Sequence, residues 1–176
     1  MRRYIRSRNA AGCYFFTVNL SDRRGNDLLV RNIGALREAF RDVQRRHPFT
    51  VDAVVILPEH LHVIWTLPPN DADFSTRWRL IKSGFSRALP PGERVNASRA
   101  RRQERGIWQR RFWEHAIRDE GDWRAHVDYI HYNPVKHGHA TRAVDWPYSS
   151  IHRHIREGLC IPNWAVGADI LAMDRE

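Results

Sequence analysis

Residues 50–68, TVDAVVILPEHLHVIWTLP, limit what this chain can fold into more than any other stretch. Val51, Ala53, Val54, Val55, Ile56 and Leu57 form an apolar, largely β-branched run. Pro58-Glu59 breaks it, and His60 to Leu67 supplies a second run. Two such runs around a proline turn predict a β-hairpin. Side chains alternate faces along a strand. His60 and His62 therefore share one face, and Leu61, Val63 and Trp65 share the other. The apolar face needs a core to cover it. The second face presents two imidazoles, a pair suited to holding a metal over a sheet. Histidines at this spacing are also common as surface or structural residues. With two cysteines, Cys13 and Cys160, the chain lacks the ligands of a structural zinc site and reads as carrying reduced thiols.

The remaining elements follow from periodicity. Cys13 to Leu20 (CYFFTVNL) is aromatic and β-branched and predicts the first strand. Leu29, Ile33, Leu36, Phe40 and Val43 recur at helical spacing and predict a helix over 27–46, ended by His47-Pro48. Phe74, Trp78, Ile81, Phe85 and Leu89 predict a second helix, stopped by Pro90-Pro91-Gly92. Residues 95–106 are arginine-rich with almost no apolar content and read as a loop. Residues 107–117 read as a fourth strand, with Trp108, Arg110, Phe112 and Glu114 on one face. A third helix spans 119–132 on a stripe of Trp123, Val127 and Ile130, ended by Asn133-Pro134. Ser149-Ser150 caps a short helix that Gly158 closes. The succession predicts a single α+β domain over 1–176 of ferredoxin-like plan: an antiparallel sheet with helices on one face and the other face open. Residues 1–10 form a basic arm and 159–176 a C-terminal appendage.

Charge narrows the partner. The chain has 176 residues and a net charge of +9, with arginine supplying most of the excess. Guanidinium forks grip phosphate and stack on bases, so nucleic acid is the expected polyanion. Arg2, Arg3 and Arg6 on the arm, Arg79 and Lys82 off the stripe of the second helix, Arg101 and Arg102 in the loop, and Arg110 and Arg111 on the fourth strand are the candidate DNA-binding residues. Taken singly, each reads more simply as a solvated surface charge. No apolar run is long enough to span a bilayer. The N-terminus MRRYIRSRNAAG lacks the apolar segment of a secretory signal. The expected location is the cytoplasm, at the nucleoid.

Helical geometry singles out two further groups. At about 100° per residue, Tyr129 and Asn133 stand together on one flank of the third helix, with His126 close by, while Tyr132 falls on the far side. Asn133 is thus placed to offer an amide oxygen as a third metal ligand.

PEHLHVIW, then WQRRFWEHAIRDEGDWRAHVDYIHYNPVKHG, then DWPYSS resembles, in content and order, the REP-associated tyrosine transposases. These belong to the single-tyrosine HUH endonucleases, named for a His-hydrophobe-His motif. The resemblance runs from about Cys13 to about Gly158. It implies that His60 and His62 are metal ligands, that Tyr129 is the nucleophile, and that Asn133 is the third ligand. Related transposases carry a glutamine there, so asparagine shortens the reach by one methylene. It further implies Mg2+ or Mn2+ as cofactor and single-stranded DNA hairpins of repetitive extragenic palindromes as substrate. The protein would act as a monomer or a homodimer. The alternative from the residues alone is a nucleic-acid binding module of the same fold without chemistry. No HExxH pattern supports a zinc hydrolase.

Overall fold

The computed structural model describes residues 12–93, 95, 97–162 and 164. The expected basic arm, with Arg2, Arg3 and Arg6, lies outside the described residues, as does most of the C-terminal appendage. Strands β1 (Cys13–Asn19), β2 (Thr50–Ile56), β3 (His60–Thr66) and β4 (Trp113–Ala116) form one antiparallel sheet in the order β2-β3-β1-β4. The helices are α1 (Leu28–Arg31), α2 (Ile33–Arg46), α3 (Phe74–Ala88), α4 (Ala97–Ala100), α5 (Glu120–Lys136) and α6 (Ile151–Arg156). The succession β1, α2, β2, β3, α3, β4 is the expected α+β plan.

The histidine hairpin sits at the centre of this sheet. Leu57 N donates to His60 O at 2.9 Å across the Pro58-Glu59 loop. The loop carbonyls are used in turn: Pro58 O accepts from Leu29 N at 3.1 Å and Glu59 O from Leu20 N at 2.8 Å. The start of β3 is therefore anchored from two directions. At the far end of the hairpin the register shifts between Val51 and Ala53, so Asp52 bulges out. The Asp52 carbonyl accepts from His154 Nε2 at 2.9 Å, and Arg153 reaches the same carbonyl. Ser149 bridges to Val55, and Ser150 Oγ accepts from Val54 N at 3.0 Å. The segment leading into α6 thus covers the open edge of β2, removing a row of unpaired backbone groups from solvent. Ser149 Oγ, not Ser150 Oγ, takes the first helical amide, Ile151 N at 3.2 Å.

Both faces of the sheet are packed. On one, Phe16, Val18, Leu61, Val63 and Trp65 meet Leu36, Ala39 and Val43 of α2 and Trp78, Ile81 and Phe85 of α3. Trp65 and Trp78 stack with ring centroids 4.3 Å apart. Each large side chain closed off there contributes about 2–3 kcal/mol through water exclusion. Arg77 is buried in this layer. It is tolerated because Asp71, the Asp73 carbonyl and the His47 and Pro48 carbonyls take its donors. On the other face, Phe15, Ala53, Val55 and Ile64 meet Val127, Tyr129 and Ile130 of α5. The face expected to be open, the one bearing His60 and His62, is therefore partly roofed by a helix.

Three boundaries depart from expectation. The first helix is split at Asn32, whose side-chain amide donates to Leu28 O at 2.9 Å and competes with the regular turn. The fourth strand covers only 113–116. Residues 107–112 make a single bridge, Leu20 to Trp108, through Gln109 N to Asn19 O at 3.0 Å and Ser21 N to Ile107 O at 2.9 Å, and do not extend it into a ladder. The continuous aromatic-arginine face expected over 107–117 is therefore not formed. Finally, α5 does not stop at Asn133-Pro134 but runs through Pro134 to Lys136. His137 N bonds Asn133 O at 3.0 Å, His139 N bonds Pro134 O at 2.8 Å, and Gly138 takes the left-handed conformation (φ 71°) that closes a helix.

On the flank of α5 away from the hairpin histidines, His131 is 1% exposed and packs 5.0 Å, ring to ring, from His154. Burial first, then the neighbouring positive groups His154 and Arg153, push its pKa down to about 3. An unfolded histidine titrates near 6.5. The unfolded chain thus takes up this proton first, and the stability that neutral His131 contributes is full above pH 6.5 and falls as pH drops toward 3. Between pH 7.5 and pH 5 the expected loss is roughly 2 kcal/mol. It should appear as a lower urea midpoint at pH 5, with a shallower drop in His131→Leu.

Candidate active site

Helix α5 lays an unusual stripe against the sheet. Its N-cap Asp119 accepts from Asp122 N at 2.8 Å, and Glu120 and Asp122 suit the positive end of the helix dipole. From that start, His126, Tyr129, Ile130 and Asn133 fall at three- and four-residue spacing, and all are buried. Trp123, expected in the stripe, is only half-buried. A helix that turns polar side chains inward, onto a sheet face that already carries two histidines, builds a polar site inside the fold.

The two hairpin imidazoles are fully buried, with ring centroids 4.9 Å apart. Each has its Nδ1 engaged. His60 Nδ1 lies 2.9 Å from Glu59 Oε1, and His62 Nδ1 lies 2.9 Å from Thr17 Oγ1, its cross-strand partner. A carboxylate only accepts, so His60 donates Nδ1–H to Glu59. Burial, followed by the nearby positive groups His60, His137 and Lys136, holds the His62 pKa well below its usual value and keeps the ring neutral. Glu59 is held ionised. Burial alone would raise its pKa, but hydrogen bonds and charge from His60 and Arg23 outweigh this and bring it to about 2. The Nε2 atoms of both rings are buried with no hydrogen-bond partner among the described residues. Leaving such groups unsatisfied is costly. Imidazoles oriented through Nδ1 with Nε2 available are what a divalent ion takes as ligands. Asn133 is also fully buried, and neither atom of its amide has a partner among the described residues. The two adjacent imidazoles fit a metal, and the Asn133 amide is a further buried polar group without a partner on α5 among the described residues.

Tyr129 stands beside them. Its ring is fully buried, 5.2 Å from the His62 ring and 6.1 Å from Phe15. Lys136, one residue before the helix C-cap, brings Nζ to 3.5 Å from Tyr129 Oη. The cap, His137, packs its ring 5.0 Å from His60. The structure thus brings His60, His62 and Tyr129 together and buries Asn133 one turn beyond Tyr129. Sequence reasoning missed Thr17, Glu59, Lys136 and His137. Thr17 follows from strand register once β1 is paired with β3. The other signals were adjacency to His60 and a helix that continues past its proline.

A second cluster lies at the junction of β4 and α5. His115, Asp122 and His126 each bring a ligating atom within 4.8 Å of the others. Several of its atoms are engaged with one another or with neighbouring backbone. Asp122 Oδ2 accepts from His115 Nε2 at 2.8 Å, Arg118 N at 2.9 Å and Arg118 Nε at 3.1 Å. His126 Nδ1 donates to the Asp122 carbonyl at 2.8 Å. This cluster is a strut that ties the edge strand to the helix.

The candidate DNA-binding residues divide. Arg79, Arg101, Arg102 and Arg111 are exposed. Arg110 is exposed but pairs with Glu104 at 2.9 Å. Lys82 turns inward, donating to Gln109 O at 3.0 Å above the Phe112 ring, and burial lowers its pKa to about 8. Within the arginine-rich loop, Arg105 is clamped by Glu93 and the Ser86, Leu89 and Pro90 carbonyls, and Arg99 by Trp108 O at 3.1 Å and Ser21 Oγ at 2.7 Å. Those two arginines hold the loop rather than face solvent. No helix among the described residues is long and apolar enough to cross a membrane.

Comparison with known proteins finds relatives over nearly the whole chain. The chain is 47% identical over 165 residues to a REP-associated tyrosine transposase of Escherichia coli K12, covering 94% of this chain and 92% of the relative. It is 42% identical over 171 residues to a putative REP-associated tyrosine transposase of Haemophilus influenzae, covering 97% of each. A solved structure of a REP-associated tyrosine transposase bound to a REP hairpin superposes with a TM-score of 0.78 at 47% identity, over 95% of this chain and 93% of that one. No family model matches. The chain is a transposase of the tyrosine class. Within that class it belongs to the REP-associated tyrosine transposases.

Proposed function

We propose that this chain cuts and rejoins single-stranded DNA beside hairpins of repetitive extragenic palindromes, with Tyr129 as nucleophile. The observation that carries the reading is the buried Tyr129 ring 5.2 Å from His62, within one chain, next to two imidazoles whose Nε2 atoms have no hydrogen-bond partner among the described residues. His60 and His62, with the Asn133 amide oxygen, would hold a divalent ion, Mg2+ or Mn2+. When bound, such an ion supplies Lewis-acid polarisation of a scissile phosphate oxygen.

The residues of the chain do the rest. Tyr129 Oη forms a bond to phosphorus and loses its proton. The bond from phosphorus to the 3′ oxygen breaks, and that oxygen leaves as a hydroxyl. The 5′-phosphotyrosine ester conserves the free energy of the phosphodiester, so rejoining by the reverse route needs no nucleotide. Thr17 and Glu59 orient the imidazoles. The exposed Arg79, Arg101, Arg102 and Arg111, with a net charge of +9, suit a phosphate backbone. Because the tyrosine and the histidine pair meet within one chain, a monomer acting in cis is the simplest assembly. Its place of work would be the nucleoid.

The test uses a 5′-palindrome hairpin with a single-stranded flank, labelled at its 3′ end, incubated with Mg2+ and run on a denaturing gel. A label that migrates with the protein is the expected result. Retardation on a native gel without any covalent product, under Mg2+ or Mn2+, would leave a DNA-binding module of the same fold.

A further inference from the structure

We infer that Lys136 is a further catalytic residue, whose ammonium offsets the negative charge that Tyr129 Oη gains during cleavage and rejoining. The inference rests on the tyrosine reading above and deepens it. Lys136 lies seven residues after Tyr129, two helical turns, so both fall on the same stripe of α5. That alignment exists only because α5 continues through Pro134. Had the helix ended at Asn133, Lys136 would belong to a loop. Nζ stands 3.5 Å from Oη and 5.2 Å from the centre of the tyrosine ring.

The contact links an exposed cation to a fully buried hydroxyl. A charge at the rim of a water-poor site acts on its neighbour more strongly than it would in water. Lys136 also occupies the last turn of a 17-residue helix, where the dipole favours a cation. Its position is therefore held by helix geometry as well as by the tyrosine.

The chemistry asks for such a group. Free tyrosine ionises near pH 10, so the attacking oxygen must acquire anionic character well below that value. In cleavage the O–H bond of Tyr129 gives its proton to water, an oxygen pair forms the bond to phosphorus, and the pair of the broken phosphorus–oxygen bond leaves on the 3′ oxygen, which takes a proton from water. In rejoining the tyrosine oxygen is the leaving group and recovers that pair. Lys136 stays protonated in both directions. It supplies charge, not a proton.

The experiment uses full-length protein and the labelled flanked hairpin. Single-turnover rate constants for adduct formation are measured at saturating DNA, with the dissociation constant measured separately by gel retardation. Lys136→Met keeps the length of the stem and removes the charge, and Lys136→Arg keeps the charge. Thermal melting checks that both variants fold. Lys136→Met should lower the rate constant about 100-fold, a loss typical of removing one donor from a charge-stabilising site, with affinity nearly unchanged. Lys136→Arg should recover most of that rate. An undiminished rate in Lys136→Met overturns the inference, as does a loss confined to affinity, which would make Lys136 a phosphate contact. Arginine performing no better than methionine also overturns it. Peptide mapping of the wild-type adduct separates the two levels. DNA absent from the Tyr129 peptide sinks the tyrosine reading and this inference with it. DNA on Tyr129 with an unaffected methionine variant sinks this inference alone.

Discussion

Tyr129→Phe is expected to abolish the covalent protein–DNA adduct while leaving hairpin binding nearly intact. The substitution deletes one oxygen. The aromatic ring keeps its contacts with His62 and Phe15, so the stripe of α5 and the sheet beneath it stay in place. The hydroxyl meets Lys136 Nζ at 3.5 Å, and losing one such bond costs about 1 kcal/mol of stability. Loss of the attacking atom, by contrast, should reduce adduct formation by more than about 10⁴-fold, the scale seen when a nucleophile is removed. Rate and stability thus separate widely in this variant. Denaturing gels quantify the adduct and native gels the binding. Adduct at the wild-type level would remove Tyr129 from the chemistry.

The double substitution His60→Ala, His62→Ala should be as severe for cleavage but by a different route. In the wild type, chelation should stop cleavage and added Mn2+ should restore it. In the double variant the proposed ion would lack both imidazole ligands, and no concentration of Mn2+ should bring activity back. This variant also has a structural cost. Glu59, 13% exposed at its side chain, loses the partner whose hydrogen bond and charge help hold its pKa near 2. Two buried rings become cavities, at roughly 2–4 kcal/mol each. The single variants His60→Gln and His62→Gln, which retain bulk, separate ligand loss from instability. Calorimetric titration with Mn2+ reads the ion directly. Binding that survives in the double variant would move the metal elsewhere.

Local rules carried the reading a long way where the local signal was also the structural one. Alternation across Pro58-Glu59 placed His60 and His62 on one face because strand geometry allows no other outcome in a register of period two. The stripes of α2 and α3 were readable because their apolar residues meet a continuous apolar sheet face. The same rules misjudged residues 107–117. There the aromatic and arginine alternation read as one unbroken strand, but the pairing is an isolated bridge at Trp108 and a regular ladder only over 113–116. They also ended the third helix at Asn133. Proline's penalty is local, whereas the bonds from His137, Gly138 and His139 and the packing of Asn133 and Pro134 outweigh it. That extra turn is what brings Lys136 and His137 to the site.

The amino-acid sequence by itself determined the hairpin, the parity of its histidines, the basic charge and the family motifs, because each depends on neighbours along the chain. The tertiary structure decided which groups meet. Thr17 finds His62 through strand pairing, and Tyr129 reaches His62 only because α5 crosses the sheet face that bears it. Contacts between residues tens of positions apart are selected by packing against a shared core, and no local period encodes them.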